Sequence, residues 1–194
     1  MALKDFRDTM ERCSSCPSCK FIPFDKIKSI RFAENCPSAE YYKFNTNSAR
    51  GRMQMAQSIL DGRVELDESV TETIHSCTSC GACDVSCKIT RFNLEPLGHN
   101  IELKAHAVKE GKFLEGQKPM MENLAKENSM IPGTKKANRT DWAKDLNLKD
   151  LFAEKADVAF FAGCKYSYDT DLQKVAQNGV RLLQSAGVDL GYLG

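Results

Sequence analysis

The sequence has no long hydrophobic run and no excess of charge of either sign. Its 27 basic residues stand against 26 acidic ones, so a basic surface of the kind that binds nucleic acid is not indicated. No apolar stretch approaches the roughly 20 residues that a membrane span requires. The longest, residues 158–164, predicts a buried strand instead. We therefore expect neither a nucleic-acid partner nor direct membrane insertion.

A secretory leader and abundant histidine are also missing. The first eight residues are charged throughout, unlike a signal peptide, which has a basic segment followed by an apolar one. Only three histidines occur, and His99 and His106 have no carboxylate or cysteine at ligand spacing. These absences favour a cytoplasmic protein with reduced thiols and no catalytic general base.

Cysteine, by contrast, is plentiful: there are nine, and seven of them form two tight runs. The later run is Cys77, Cys80, Cys83 and Cys87, with gaps of two, two and three residues. This is the spacing of a bacterial ferredoxin loop, in which three thiolates hold one 4Fe–4S cluster and the fourth binds a second cluster. The run therefore implies a second site elsewhere in the chain.

The earlier cysteines supply that second site. Cys13, Cys16 and Cys19 repeat the two-and-two spacing, and Cys36 precedes a proline, as the fourth ferredoxin cysteine does. Lys88 stands where the later run would have its own proline. An uncrossed arrangement, in which Cys36 and Cys87 each stay with their own run, remains open. We predict two 4Fe–4S clusters with these ligands: Cys13, Cys16, Cys19 and Cys87 for cluster 1, and Cys77, Cys80, Cys83 and Cys36 for cluster 2.

Zinc and disulfides are the competing interpretations of the cysteines. Structural zinc uses four thiolates, usually as two separated Cys-x-x-Cys pairs, whereas each run here has three evenly spaced sulfurs. Disulfides are typical of short secreted chains. The alternative function is thus a zinc-stabilised interaction module without redox activity.

Hydrophobic periodicity predicts a mainly helical first part of the chain. Helices are expected over residues 49–60, 68–76, 100–109 and 119–126. Met53 and Met55 are expected to pack in the core rather than to take part in redox chemistry. The apolar residues between 22 and 32 lie beside the first run and are expected to shield a cluster from water.

The last third changes character. Residues 128–150 have the composition of a linker in which Trp142 anchors the chain, and residues 158–161, 171–185 and 188–193 predict a strand, a helix and a strand. We expect a mainly α fold: a two-cluster helical ferredoxin domain over 1–127, a linker over 128–150 and an incomplete α/β segment over 151–194. A single βαβ unit does not cover a parallel sheet, so we expect either a fragment or completion by another chain.

Cys164 follows the predicted strand in the segment Phe160-Phe-Ala-Gly-Cys164. Together with the two cysteine runs, this segment resembles the iron–sulfur subunits of the heterodisulfide-reductase D (HdrD) type. Those subunits join a helical two-cluster ferredoxin domain (HdrC-like) to a domain with cysteine-rich CCG motifs (HdrB-like). The segments 19–28, 48–52 and 80–87 are similar to a bacterial branch that includes the electron-transfer subunit associated with class II benzoyl-coenzyme A reductase.

The resemblance implies an electron-transfer subunit of a cytoplasmic anaerobic oxidoreductase complex, without turnover of its own. It would relay single electrons between a flavin- or hydrogenase-type partner (HdrA-like) and a terminal acceptor. Cys164 would be one ligand of an incomplete third site for a non-cubane cluster, if the chain continues or a partner completes it. Its alternative role is that of a small buried residue after a strand. No Cys-Cys-Gly follows Cys164, so the family's disulfide chemistry is not carried over.

Overall fold

The chain separates into two compact units, Met1–Leu114 and Glu115–Gly194. The structure, a computed structural model, describes residues 2–90 and 92–193, so the outer limits of the predicted domains, Met1 and Gly194, lie outside the described residues. The predicted limits near residues 127 and 150 both fall inside the second unit. The division into a ferredoxin domain, a linker and an α/β segment stays a prediction.

The described part of the first unit contains six α-helices. Helix α3 has the predicted bounds, whereas α6 begins earlier than predicted because Pro96 occupies its first turn, where a proline is well tolerated. Helix α5 was not predicted at all, since its residues belong to the later cysteine run. The helices are α1 (Arg7–Glu11), α2 (Pro37–Tyr42), α3 (Ala49–Leu60), α4 (Glu68–His75), α5 (Ala82–Ile89) and α6 (Pro96–Lys109).

Side-chain caps set where two of these helices begin. The hydroxyl of Ser48 accepts the Gly51 N–H at 3.2 Å at the start of α3. The Asp67 carboxylate accepts the Val70 N–H at 2.8 Å at the start of α4. Each cap satisfies an amide that has no partner within its own helix. The start of α3 is therefore held in place, which matters because its first turn lies beside the cysteines.

One apolar core joins α3 and α6 in the first unit. Met53 is buried and Met55 packs against the core from its edge, so the prediction that both are core residues is confirmed. The buried members of this core are Leu3, Met10, Met53, Ala56, Ile74, Leu103 and Ala107.

The prediction that the apolar residues between 22 and 32 shield a cluster is wrong for three of them. Phe24 is 67% exposed, Ile30 74% and Phe32 64%. This stretch consists of short 3-10 turns and a single bridge between Phe21 and Glu34. Turns of this kind present successive side chains in different directions, so an apolar composition did not produce a buried face.

The second unit combines helices with a small parallel sheet. The strands are β1 (Lys149–Asp150), β2 (Val158–Phe160) and β3 (Leu190–Tyr192), in the order β1-β3-β2. The predicted strand–helix–strand succession is present, because β2 and β3 are parallel neighbours and α9 lies between them in sequence. Strand β1 was missed because it has only two residues. The helices are α7 (Lys118–Glu127), α8 (Gly163–Tyr168) and α9 (Thr170–Ser185).

Trp142 lies in the core of this unit and is 2% exposed. Its ring centroid is 5.6 Å from that of Phe160 on β2, and α9 contributes Ala176 and Val180 to the same core. Strand β2 is nevertheless not buried as predicted, since it is an edge strand and Val158 is 43% exposed. No helix in residues 2–90 and 92–193 has the length and apolar character needed to cross a membrane.

Substitution of Gly51 by alanine tests how tightly the start of α3 is packed. An added Cβ would lie 2.2 Å from the Asn45 carbonyl oxygen and 2.5 Å from the Thr46 Cα, and neither backbone atom can rotate away. We expect G51A to lower the free energy of unfolding by about 2–3 kcal/mol, measured by anaerobic urea unfolding. The control G116A adds a Cβ with no atom within 4 Å. Equal unfolding midpoints for the two variants would contradict the tight contact.

Candidate metal centre

The two cysteine runs repeat one local conformation. Ser15 precedes the second cysteine of the first run with φ 60°, and Ser79 precedes the second cysteine of the later run with φ 56°. Non-glycine residues seldom adopt this left-handed conformation. Its occurrence at the same position in both runs indicates that the two segments bend in the same way to present their sulfurs.

The first run opens onto a cavity, which we call cavity 1. Its thiols are those of Cys13, Cys16, Cys19 and Cys87. The rest of its wall is mostly apolar and includes Met53, Leu94 and Pro96. The structure thus brings the fourth cysteine of the later run to the three cysteines of the earlier one.

The later run opens onto a second cavity, which we call cavity 2. Its thiols are those of Cys36, Cys77, Cys80 and Cys83. The grouping of the eight cysteines around the two cavities is the one that the crossed assignment predicts; the ligation itself remains a prediction. Within residues 2–90 and 92–193, no three side chains of the Cys, His, Asp or Glu type lie close enough together to hold one metal ion.

Helix α5 carries a thiol to each cavity. Cys83 is its second residue and lines cavity 2, whereas Cys87 lies one turn further on and lines cavity 1. The four residues from one to the other span about 6 Å along the helix axis. The two cavities are therefore close neighbours, and the three-residue gap between these cysteines is a helical turn rather than the loop that the ferredoxin pattern suggested.

The first turn of α3 forms a wall between the cavities. Ala49 and Arg52 line cavity 2, and Arg50 and Met53 line cavity 1. Residues three apart on a helix lie on the same face, so two adjacent faces of one turn serve the two sites. The tight packing of Gly51 against Asn45 and Thr46 keeps this wall close to the neighbouring turn.

Hydrogen bonds tie the cysteine segments together. The Asn35 amide donates to the Cys19 carbonyl at 3.3 Å and to the Ala82 carbonyl at 3.2 Å, so one side chain joins the two runs. The Lys104 ammonium donates to the Cys77 carbonyl and to the Ser79 hydroxyl. The runs are thus fixed to each other and to α6.

Backbone amides also point at the sulfurs. The Leu94 N–H donates to the Cys87 sulfur at 3.3 Å, the Ser79 N–H to the Cys77 sulfur at 3.4 Å and the Ala39 N–H to the Cys36 sulfur at 3.5 Å. Donors of this kind stabilise thiolates and influence the potentials of iron–sulfur clusters. Each of the two cavities contains at least one such sulfur.

Burial keeps two of the thiols neutral in the absence of a metal. Burial, together with the neighbouring Asp84 carboxylate, raises the pKa of Cys83 to about 12. Burial also raises the pKa of Cys19, although the Arg50 N–H and the Ser48 hydroxyl oppose that change. Thiols in such sites lose their protons when a cation binds and replaces them.

The sequence-based predictions did not include two arginines that line the cavities, Arg50 at cavity 1 and Arg52 at cavity 2. Arg52 is 1% exposed, and its guanidinium donates to the carbonyls of Thr73 and Asn47 and to the hydroxyls of Ser38 and Ser76. A signal for it exists in the sequence, because Arg52 falls on the apolar stripe of α3 at three-and-four spacing. Arginine is almost never fully buried unless it is paired with another group.

His99 and Asn100 are further buried polar residues at the start of α6. Burial lowers the pKa of His99 to about 4, so its imidazole is neutral near pH 7. Its Nδ1 lies 3.2 Å from the Pro96 carbonyl. The carbonyl oxygen of the Asn100 side chain has no hydrogen-bond partner within the described residues, and Asn100 lines cavity 2.

Cys164 lies in the second unit, as the second residue of α8. It is half-buried, and it is the only cysteine after residue 87 in the sequence. Residues close to Cys164 in sequence line a pocket of their own, among them Phe160, Phe161, Ala162 and Tyr166. The role of Cys164 in a third metal site stays a prediction.

The residues present fit two 4Fe–4S clusters. Each cavity has four thiols on its wall, and sulfur is the donor that such clusters use. In each cavity the four cysteines lie around one common space. Comparison with known proteins agrees with this chemistry, since residues 8–90 match the 4Fe–4S dicluster domain family.

Three known proteins are similar to this chain over most of its length. It is 28% identical over 146 residues to an EtfAB:quinone oxidoreductase of Syntrophomonas wolfei, covering 72% of this chain and 19% of that protein. It is 27% identical over 158 residues to the probable iron–sulfur-binding oxidoreductase FadF of Bacillus subtilis, covering 76% and 22%.

The third relative is the D-type subunit of the dihydromethanophenazine:CoB–CoM heterodisulfide reductase of Methanosarcina mazei. The identity is 28% over 128 residues, covering 66% of this chain and 29% of that protein. The chain therefore spans less than a third of the length of each of these relatives. The narrower resemblance to the electron-transfer protein associated with benzoyl-coenzyme A reductase stays a prediction.

Three findings agree on an iron–sulfur protein: the eight cysteines around two cavities, the match to the dicluster domain and the similarity to these relatives. Residues 8–90 match the 4Fe–4S dicluster domain family, and the chain is similar to HdrD-like iron–sulfur proteins over most of its length.

Proposed function

We propose that this chain is the electron-transfer part of a cytoplasmic oxidoreductase complex and relays single electrons through two 4Fe–4S clusters. The observation that carries the proposal is that two neighbouring cavities each have four cysteines on their walls. The ligands we propose are Cys13, Cys16, Cys19 and Cys87 for cluster 1, and Cys36, Cys77, Cys80 and Cys83 for cluster 2.

The clusters, when bound, supply one-electron carriers. The chain holds the two sites close together, because α5 reaches both within one turn and the first turn of α3 separates them. It also buries Cys19 and partly buries Cys83. Such an arrangement suits transfer between fixed carriers and requires no motion of the protein, so we expect no turnover of a small substrate by this chain alone.

The complex is proposed to be hetero-oligomeric. Its partners would be other redox subunits, of the flavin or hydrogenase type (HdrA-like), and its setting anaerobic metabolism. The support comes from the names of the relatives, which include an EtfAB:quinone oxidoreductase and a heterodisulfide reductase subunit. Because the chain spans less than a third of each, its donor and acceptor are identified only by this chemical class.

Metal content tests the proposal against the zinc-stabilised alternative. We expect about eight irons and eight sulfides per chain, since two clusters of the 4Fe–4S type contain that number, and we expect the visible absorption to bleach with dithionite. The measurement is iron, sulfide and zinc analysis of anaerobically purified protein together with its spectrum. Colourless protein with about two zinc ions would contradict the relay and support a structural module.

Paired cysteine variants test the crossed ligation. In the crossed arrangement Cys16 and Cys87 serve the same cluster, so C16A/C87A should leave one cluster unaltered. The matched control C16A/C36A removes one ligand from each cluster and should leave neither unaltered. The measurement is iron content with the electron paramagnetic resonance spectrum of the reduced protein.

The reverse result has a clear meaning. One unaltered cluster in C16A/C36A and none in C16A/C87A would show that Cys36 and Cys87 stay with their own runs. That outcome would contradict the proposed ligand sets while leaving two clusters in place.

A further inference from the structure

Arg52 is a buried cation for which the described residues provide no carboxylate. Its four hydrogen bonds go to neutral oxygens: the Thr73 carbonyl at 3.0 Å, the Asn47 carbonyl at 2.7 Å, the Ser38 hydroxyl at 2.8 Å and the Ser76 hydroxyl at 2.6 Å. These bonds use four of its five N–H groups, and none of the four oxygens carries a charge. A buried charge without an opposite charge is strongly unfavourable.

Cavity 2 is where the opposite charge would lie. Arg52 lines this cavity together with its four thiols. Burial lowers the pKa of the Arg52 guanidinium, whereas the thiolates of Cys77 and Cys36 favour its charged form. Four thiolates around iron and sulfide make a group with net negative charge, and that charge increases by one on reduction.

Arg50 has the matching place at cavity 1. It lies two residues before Arg52 in the first turn of α3 and lines the cavity that contains Cys13, Cys16, Cys19 and Cys87. Its Nε is buried and has no hydrogen-bond partner within the described residues. One helical turn therefore places one arginine at each cavity.

We propose that Arg52 and Arg50 are the counter-charges of the two clusters, Arg52 for cluster 2 and Arg50 for cluster 1, and that each raises the reduction potential of its own cluster. The reason is electrostatic: a fixed positive charge stabilises the reduced, more negative state more than the oxidised one. The inference rests on the proposed function, since it requires both clusters.

Removal of one charge at a time tests the inference. R52Q should lower the midpoint potential of one cluster and R50Q that of the other. The expected loss in the equilibrium constant for reduction is about tenfold, or roughly 59 mV for a one-electron couple. The measurement is an anaerobic redox titration of the full chain, followed by electron paramagnetic resonance, with both clusters observed in each variant.

Two further variants separate charge from structure. R52K keeps the positive charge but loses the planar fork of donors, and S76A removes one hydrogen-bond acceptor of Arg52 and keeps the charge. Both variants should have midpoint potentials that correspond to a change of no more than about a factor of two in the equilibrium constant for reduction. A merely structural role would instead give R52K and R52Q equal shifts, which would overturn the inference.

The remaining outcomes also decide. If R52Q fails to load cluster 2, R50Q still tests the charge effect at cluster 1, and an unchanged potential there overturns the inference. A shift of both clusters by either variant alone overturns the pairing of one arginine with one cluster. Wild-type protein without iron and sulfide would refute the proposed function, whereas two reducible clusters with unmoved potentials would refute this inference alone.

Discussion

The first unit depends on one constraint: the two cysteine sites take thiols from the same helix, so they must also share the walls between them. Helix α5 contributes Cys83 to one cavity and Cys87 to the other, and the first turn of α3 faces both. Cavity 1 takes its fourth thiol, Cys87, from the later run, and cavity 2 takes its fourth, Cys36, from the segment between the runs. The apolar core formed by Met53 and Leu103 holds α3 and α6 in the places that this sharing requires.

The distribution of charge follows from the same sharing. With the proposed clusters bound, thiolates on both sides of one helical turn would concentrate negative charge inside the fold, where water does not screen it well. The chain places Arg50 and Arg52 in that turn. Ion pairs such as Lys144 with Asp141 lie at the surface instead, where they contribute little to stability. The nearly balanced net charge of the sequence does not reveal this placement of Arg50 and Arg52.

The second unit has a different basis. Trp142, Val180 and Leu190 pack together from three separate segments, and this core holds α9 against the three parallel strands. Its sheet is short, and the edge strand β2 remains partly exposed at Val158. Cys164 lies in this unit, whereas the match to the 4Fe–4S dicluster domain family covers residues 8–90.

Spacing alone determined a good deal about this protein. The intervals between cysteines indicated two 4Fe–4S clusters because a cubane imposes a fixed geometry on a short loop, and periodicity located α3 because its apolar stripe is regular. Periodicity did not locate α5, because the gap between its two cysteines fits both a ferredoxin loop and a helical turn. Nor did the sequence predict that Phe24 and Phe32 are exposed. Only the tertiary structure decided which thiols meet around which cavity and that Arg50 and Arg52 face those cavities, because such contacts join residues far apart in sequence and depend on how the helices pack.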